Sequence, residues 1–282
     1  MDKKGQGGTN WLIISIILLI AGFVVVIYFY SRTDFESISN EKICYASVVT
    51  RSELLSLGGE LTAPPLNCKT SYYCISGDGT CEIMSASTKI IKVKTAEEVY
   101  EAVADKMVSC WDMYGSGKLD YLGEKDNSEN LYCSFCYQIG FDNSLDMFLG
   151  DVFSRNDFYN YLYNTNVSET KISYLEYFIG SAERSKDFYD SLVQGNIHLS
   201  DLPLEKQYFI MTGIYSKVGF LGSITFTLPG VAISPEMEKE AVEKWDYFFN
   251  QGTTHHFLVP LLVSPNSEEY KNLKCVSIET IA

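Results

Sequence analysis

The sequence predicts an N-terminal transmembrane helix followed by an extracytoplasmic α+β domain with disulfides. Three observations support this fold class: an uncharged apolar run over residues 11–30, eight cysteines that all follow this run, and a mixture of helix-like and strand-like segments in the remaining chain. The predicted organisation is a cytoplasmic tail (1–10), the transmembrane helix (11–30), a spacer (31–43) and the α+β domain (44–282).

The apolar run reads WLIISIILLIAGFVVVIYFY. At a rise of about 1.5 Å per residue it forms roughly 30 Å of helix, which matches the hydrocarbon core of a bilayer. Trp11 and Tyr30 lie at its ends, where aromatic rings favour the headgroup regions. Lys3 and Lys4 precede the run, and positive charge stays on the cytoplasmic side. We therefore expect membrane lipid as a partner of Trp11 to Tyr30, in a single-pass cell-membrane protein whose N-terminus is cytoplasmic.

The cysteines indicate an oxidising compartment, because an even number lies on one side of the run. They are Cys44, Cys68, Cys74, Cys81, Cys110, Cys133, Cys136 and Cys275. Cys133 and Cys136 have the CxxC spacing of thiol oxidoreductases, but their flanking residues are typical of a strand. Residues three apart in a strand point to opposite faces, so each cysteine is expected to bond elsewhere. Structural disulfides are the favoured interpretation.

Two pairings can be considered from the sequence. A hairpin over CISGDGTC places Cys74 opposite Cys81 if Gly77-Asp78 forms a type II′ turn. If Asp78-Gly79 forms a type I′ turn instead, the two cysteines are not opposite each other. Cys68 is the rival partner for Cys74. Cys110 is expected to bond either Cys133 or Cys136. These alternatives remain open at the level of sequence.

The clearest helix in the domain begins after Thr95. Thr95 and Glu98 form a capping box, and an apolar stripe follows at i, i+4 steps. The stripe consists of Val99, Val103, Met107 and Trp111. Gly115 and Gly117 are expected to end the helix, and the indole of Trp111 is expected to be buried.

The other elements are predicted from turn residues and periodicity. Residues 44–94 are predicted to form small strands and hairpins, and LYCSFCYQIGF a strand. Further helices are predicted over residues 144–163 in two pieces, with Ser154 capping the second, and over TKISYLEYFIG, AERSKDFYDSLV and 234–250. Further strands are predicted over residues 209–215, 223–228 and HHFLVPLLV, with Pro260 confining the last to an edge or a bulge.

The charge of the chain argues against a nucleic-acid-binding protein. The chain has 22 basic and 36 acidic residues and a formal charge of −14, which repels nucleic acid.

No residue pattern predicts a catalytic, cofactor or metal site. The adjacent His255 and His256 face opposite ways in a strand and cannot share a metal. Asn166-Val167-Ser168 is a glycosylation sequon on a predicted loop.

Two resemblances extend this interpretation. The start, Lys3-Lys4-Gly5-Gln6 followed by the apolar helix, resembles the class III signal of archaeal type IV pilins, which implies cleavage after Gly5 and packing of the helix in a filament core. The segment from Cys110 to Lys118, the CxxC pair and His255-His256 are similar to single-span surface proteins of small-genome archaea. The second resemblance implies a surface location and no particular activity.

The sequence thus predicts a membrane-anchored cell-surface protein that acts by binding or structural association and not by catalysis. Its expected partners are other surface proteins or a second copy of itself. A pilin-like filament subunit is the alternative hypothesis, and a membrane-tethered thiol oxidoreductase that uses Cys133 and Cys136 is the third.

Overall fold

The computed structural model describes residues 14–15, 18–20, 22, 35–58, 63–85, 88–122, 131–168, 170–195, 199–216, 249–251 and 255–277. The chain divides into two units, Met1–Asn40 and Glu41–Ala282. In the first unit the described residues are all helical. The second unit contains the sheet and the disulfides.

The predicted fold class requires a correction. The described chain is an α+β structure with four disulfides, and none of its helices is both long and apolar enough to cross a membrane. The longest, Phe35–Ser56, has sufficient length, but charged residues such as Glu41, Arg51 and Glu53 interrupt it. Most of the apolar run at residues 11–30, where the transmembrane helix is predicted, lies outside the described residues.

From residue 35 onward, the described residues form seven α-helices, a short 3-10 helix (Asn143–Leu145) and nine strands. The helices are α1 (Phe35–Ser56), α2 (Ala96–Met113), α3 (Asp146–Leu149), α4 (Arg155–Asn164), α5 (Tyr174–Ile179), α6 (Ala182–Val193) and α7 (Glu268–Asn272). The strands are β1 (Ser71–Ser76), β2 (Lys89–Lys92), β3 (Leu131–Phe141), β4 (Val152–Phe153), β5 (Leu202–Pro203), β6 (Gln207–Ser216), β7 (Phe249–Gln251), β8 (His255–Val263) and β9 (Val276–Ser277).

The main sheet is mixed, with strand order β2-β1-β3-β6-β8-β7. Its first three strands are parallel, and each pairing from β3 onward along this order is antiparallel. The long strand β3 pairs with β1 through its second half and with the short strand β9, in parallel, through Tyr132 and Cys133. β4 and β5 form a separate two-stranded sheet.

Helix α2 has the predicted cap and stripe. The Thr95 hydroxyl accepts a hydrogen bond from the Glu98 amide, and the whole stripe from Val99 to Trp111 is buried. Beyond Met113 the Ser116 amide donates to the Trp111 carbonyl and the Gly115 amide to Asp112. This Schellman arrangement requires positive φ at Gly115, which adopts +80°. The helix packs on β3, β6 and β8.

A bulge in β3 sets how α2 meets the sheet. The register with β6 shifts between Phe135 and Tyr137, which leaves Cys136 as an extra residue. Consecutive strand residues normally face opposite ways. Here both Cys136 and Tyr137 reach α2: Cys136 is bonded to Cys110, and the Tyr137 hydroxyl lies 2.7 Å from the Ser109 hydroxyl.

The region before α2 differs from the sequence prediction. Residues 35–43 of the predicted spacer and residues 44–56 of the predicted strand region form helix α1. Long-range contacts hold this helix: Arg51 donates to the carbonyls of Pro64 and Tyr121, at 2.8 and 2.7 Å. The prediction of hairpins is wrong for β1 and β2, because these strands are parallel and residues 77–88 serve as their crossover.

Most later predictions are confirmed. LYCSFCYQIGF is β3, Ser154 caps α4, and the segments from Tyr174 and Ala182 form α5 and α6. The residues at 209–215 lie within β6. In β8 two residues, Val259 and Pro260, oppose one residue of β6, so the proline lies at a bulge. The strand predicted at 223–228 and most of the helix predicted at 234–250 lie outside the described residues, although 249–250 belong to β7.

Candidate functional site

All eight cysteines form disulfides, as expected. The pairs are Cys44–Cys68, Cys74–Cys81, Cys110–Cys136 and Cys133–Cys275. The two cysteines of the CxxC motif are therefore bonded to different partners. A thiol oxidoreductase cycles a disulfide between its two CxxC cysteines, and that bond is not formed here. The Cys74–Cys81 bond exists without the hairpin that suggested it, since Cys81 lies in the crossover after β1.

Asp142 lies close to both sulfur atoms of the Cys74–Cys81 disulfide. One of its carboxylate oxygens lies within 4.8 Å of the sulfur atoms of Cys74 and Cys81, a spacing that suits a metal ion in a reduced protein. The sulfur atoms are bonded to each other, so they offer no thiolate. The carboxylate is buried and accepts hydrogen bonds from the Ser144 hydroxyl at 2.7 Å and from the Ser144 and Glu82 amides. These contacts make it part of the turn that follows β3.

An open cleft of about 620 Å³ lies on the helical side of the second unit. α1 contributes Glu41, Lys42 and Tyr45, the outer face of α2 and the turn after it contribute most of the remaining residues, and the 165–174 hairpin closes one side. The described residues that line it are Glu41, Lys42, Tyr45, Asp105, Val108, Ser109, Asp112, Met113, Ser116, Val167 and Ser168. This volume lies in the usual range of ligand sites.

Tyrosines of α5 hold two of the cleft carboxylates. The Tyr174 hydroxyl donates to Asp105 at 2.7 Å, and the Tyr177 hydroxyl donates to Asp112 at 2.5 Å. Burial, together with the hydrogen bond to Asp112, raises the pKa of Tyr177 to about 12, and burial with the bond to Asp105 raises the pKa of Tyr174 further. Both phenols therefore remain protonated donors at neutral pH. Oδ1 of Asp112 also accepts a hydrogen bond from the Ser116 hydroxyl at 2.8 Å, and Oδ2 of each carboxylate accepts none from a described residue.

The third carboxylate, Glu41, belongs to a tighter cluster. It accepts a 2.6 Å hydrogen bond from the Tyr137 hydroxyl, and its Oε1 lies 3.9 Å from the ammonium of Lys106. Lys106 also lies over the ring of Tyr73 at 4.3 Å and that of Tyr137 at 5.1 Å. Burial and the neighbouring Glu41 carboxylate raise the pKa of Tyr137 well above its usual range. Glu41 is thus partly neutralised, and Asp105 and Asp112 contribute most of the negative charge of the cleft.

The residues selected from sequence lie beside the cleft, not in it. Trp111, Gly115 and Gly117 are buried in and after α2, where they shape the helix and its end. The side chains of His255 and His256 lie outside the described part of the chain. The sequence did not single out the cleft carboxylates, because acidic residues are abundant. Asp105 and Asp112 are seven positions apart on α2, and this helical spacing was the one available signal.

Comparison of the chain with protein-family models, with curated proteins and with solved structures finds no match. The resemblances to archaeal pilins and to single-span archaeal surface proteins remain predictions, and residues 1–13, which include the cleavage signal, lie outside the described residues.

Proposed function

We propose that this protein acts outside the cytoplasm as a binding protein, and that its cleft accepts a cationic side chain of a partner protein. The observation that carries the proposal is the composition of the cleft. Among the described residues that line it, Glu41, Asp105 and Asp112 carry carboxylates and Lys42 alone carries an ammonium. The paired cysteines support the location, since disulfides persist in oxidising compartments.

The tyrosine contacts support binding of a cation. A phenol that donates to a carboxylate fixes its orientation without cancelling its charge, so Asp105 and Asp112 present oriented acceptors. Lysine and arginine carry donors only, and an arginine fork matches carboxylate geometry. Val108, Met113 and Val167 add apolar surface for the methylene stem of either side chain.

The charge of the whole chain favours a different protein over a second copy as partner. At −14 two copies repel each other, whereas a basic partner is attracted and reaches the cleft faster. The two cleft carboxylates of α2, Asp105 and Asp112, are exposed to solvent, so this attraction weakens as salt is added.

Titration with a fluorescent tri-arginine peptide at low ionic strength tests the proposal. The variant Asp105→Asn/Asp112→Asn should bind roughly fivefold more weakly, at about 0.5 kcal/mol for each exposed pair lost. The matched control is Asp187→Asn combined with Glu183→Gln, which removes the same charge from exposed positions on α6. Equal weakening in the two variants, or no saturable binding to the unaltered protein, would show that the cleft is not the site.

A further inference from the structure

The sequon Asn166-Val167-Ser168 lies in a short hairpin between α4 and α5. The Val167 amide donates to the Ile172 carbonyl and the Tyr174 amide to the Thr165 carbonyl, both at 3.0 Å. These bonds flank the single bridge between Asn166 and Ser173. The hairpin is therefore held at its base, and Ser168, Thr170 and Lys171 beyond the base are exposed.

Both reactive positions of the sequon are exposed, and neither side chain is bonded to a described residue. Two other exposed side chains nearby make hydrogen bonds. Asn164 donates to the carbonyl and the side-chain oxygen of Asn160, and the Thr170 hydroxyl donates to the Val167 carbonyl. The middle residue of the sequon is valine, which permits modification where proline blocks it.

From this exposure we infer that Asn166 is a site of N-linked glycosylation. A transferase that uses a polyprenyl-linked oligosaccharide as donor supplies the sugar. The amide nitrogen of Asn166 bonds to the anomeric carbon of the first sugar, the bond from that carbon to the lipid phosphate breaks, and the lipid phosphate leaves. The displaced amide proton passes to a base of the transferase, and no electron is gained or lost.

The glycan stands next to the cleft, because Val167 and Ser168 line it. A bulky hydrophilic chain at this position restricts the approach of a partner from the hairpin side. The inference rests on the location given in the proposed function, since glycosyl transfer of this kind acts on exported chains. It does not depend on what the cleft binds.

The test is a glycopeptide mass map of the full chain produced in its own cells. We expect a sugar mass on the peptide that carries Asn166, with complete loss in Asn166→Gln and Ser168→Ala. Ser168→Thr retains the sequon and Asn164→Gln leaves it untouched, so both should keep the modification. Neither Ser168 nor Asn166 makes a described hydrogen bond that these changes would break, so the variants should fold.

An unmodified Asn166 peptide would overturn the inference. If the cysteines of the same sample are all paired, the location stands and the glycosylation alone is wrong. If free thiols are found with the unmodified peptide, the location in the proposed function is wrong as well. Sugar that persists in Ser168→Ala would place the modification at another residue.

Discussion

The Tyr137 hydroxyl on the central strand donates a 2.6 Å hydrogen bond to the carboxylate of Glu41 on α1. The two residues are 96 positions apart in the chain. A hydrogen bond to a charged group in a partly buried place contributes about 1.5–3 kcal/mol, more than one between neutral groups. This contact therefore helps to hold α1, from Glu41 onward, against β3.

The change Tyr137→Phe removes this donor and should lower the free energy of unfolding by about 1.5–3 kcal/mol. Tyr189→Phe is the matched control, because the Tyr189 hydroxyl donates to Asn160 at the surface and its loss should cost within about 0.5 kcal/mol. Urea denaturation of both variants measures the difference. Equal midpoints would show that the bond to Glu41 contributes no more than a surface contact.

Trp111 should be among the residues on which stability depends most. Its side chain is 2 % exposed and belongs to the buried stripe of α2, the helix that packs on the sheet. Replacement by alanine should cost about 3–5 kcal/mol, because the cavity is too large to close. Glu101→Ala, on the exposed face of the same helix, should change stability by less than about 0.5 kcal/mol. Thermal or urea unfolding of both variants measures the difference. An unchanged midpoint for Trp111→Ala would mean that the indole does not contribute to core packing.

Gly115 combines a backbone and a packing requirement. The backbone at Gly115 adopts φ +80°, and an added β-carbon would lie 2.5 Å from Cγ of Leu119. Gly115→Ala should therefore destabilise the domain by about 2–4 kcal/mol. Gly58 has nearly the same φ, +77°, but nothing within 4 Å of an added β-carbon. Gly58→Ala should therefore cost only the backbone strain, about 1–2 kcal/mol. If the two variants unfold at the same urea concentration, the contact with Leu119 carries no cost.

Stability should fall in alkaline solution. Burial raises the pKa of Tyr114 and of Tyr208 to about 12, and burial with the bond to Asp112 does the same for Tyr177. The unfolded chain ionises its tyrosines near pH 10. The folded protein thus holds these protons more tightly, and the resulting stability is present below about pH 10 and lost as the pH rises toward 12. Urea midpoints between pH 8 and pH 11, with tyrosinate absorbance as a second readout, test this. Complete ionisation near pH 10 in folded protein would contradict it.

A non-reducing peptide map should recover the four pairs seen in the structure. Chymotryptic cleavage after Phe135 separates Cys133 from Cys136, so the partners Cys275 and Cys110 are distinguished. Unreduced native protein should contain no alkylatable thiol. A peptide joining Cys133 to Cys136 would instead restore the CxxC disulfide and the oxidoreductase interpretation.

Local signals account for the elements that the sequence predicted correctly. In α2 the cap at Thr95, the stripe through Trp111 and the glycine at 115 act within a few residues of one another. The strand at β3 has a long apolar and aromatic run. Pro260 could be assigned to a bulge because proline cannot donate a ladder hydrogen bond.

Long-range contacts account for the features that the sequence did not predict. α1 has a weak apolar face, and it is held by the Cys44–Cys68 bond and by hydrogen bonds of Arg51 to residues far along the chain. The turn residues near Gly77 suggested a hairpin, yet the sheet uses them in a parallel crossover. The cleft joins three distant segments, which no pattern along one segment reveals.

The Cys133–Cys275 bond has a consequence for the order in which the chain matures. It joins residues 142 positions apart, while Cys110 and Cys136 are only 26 apart. At about 5–20 residues per second, a ribosome needs roughly 7–28 s after Cys133 to reach Cys275. During this interval Cys110 and Cys136 have both been synthesised and can form their bond, whereas Cys275, the partner of Cys133, has not yet been synthesised. A product that stops before Cys275 therefore retains an odd thiol in its central strand, which marks it as incomplete.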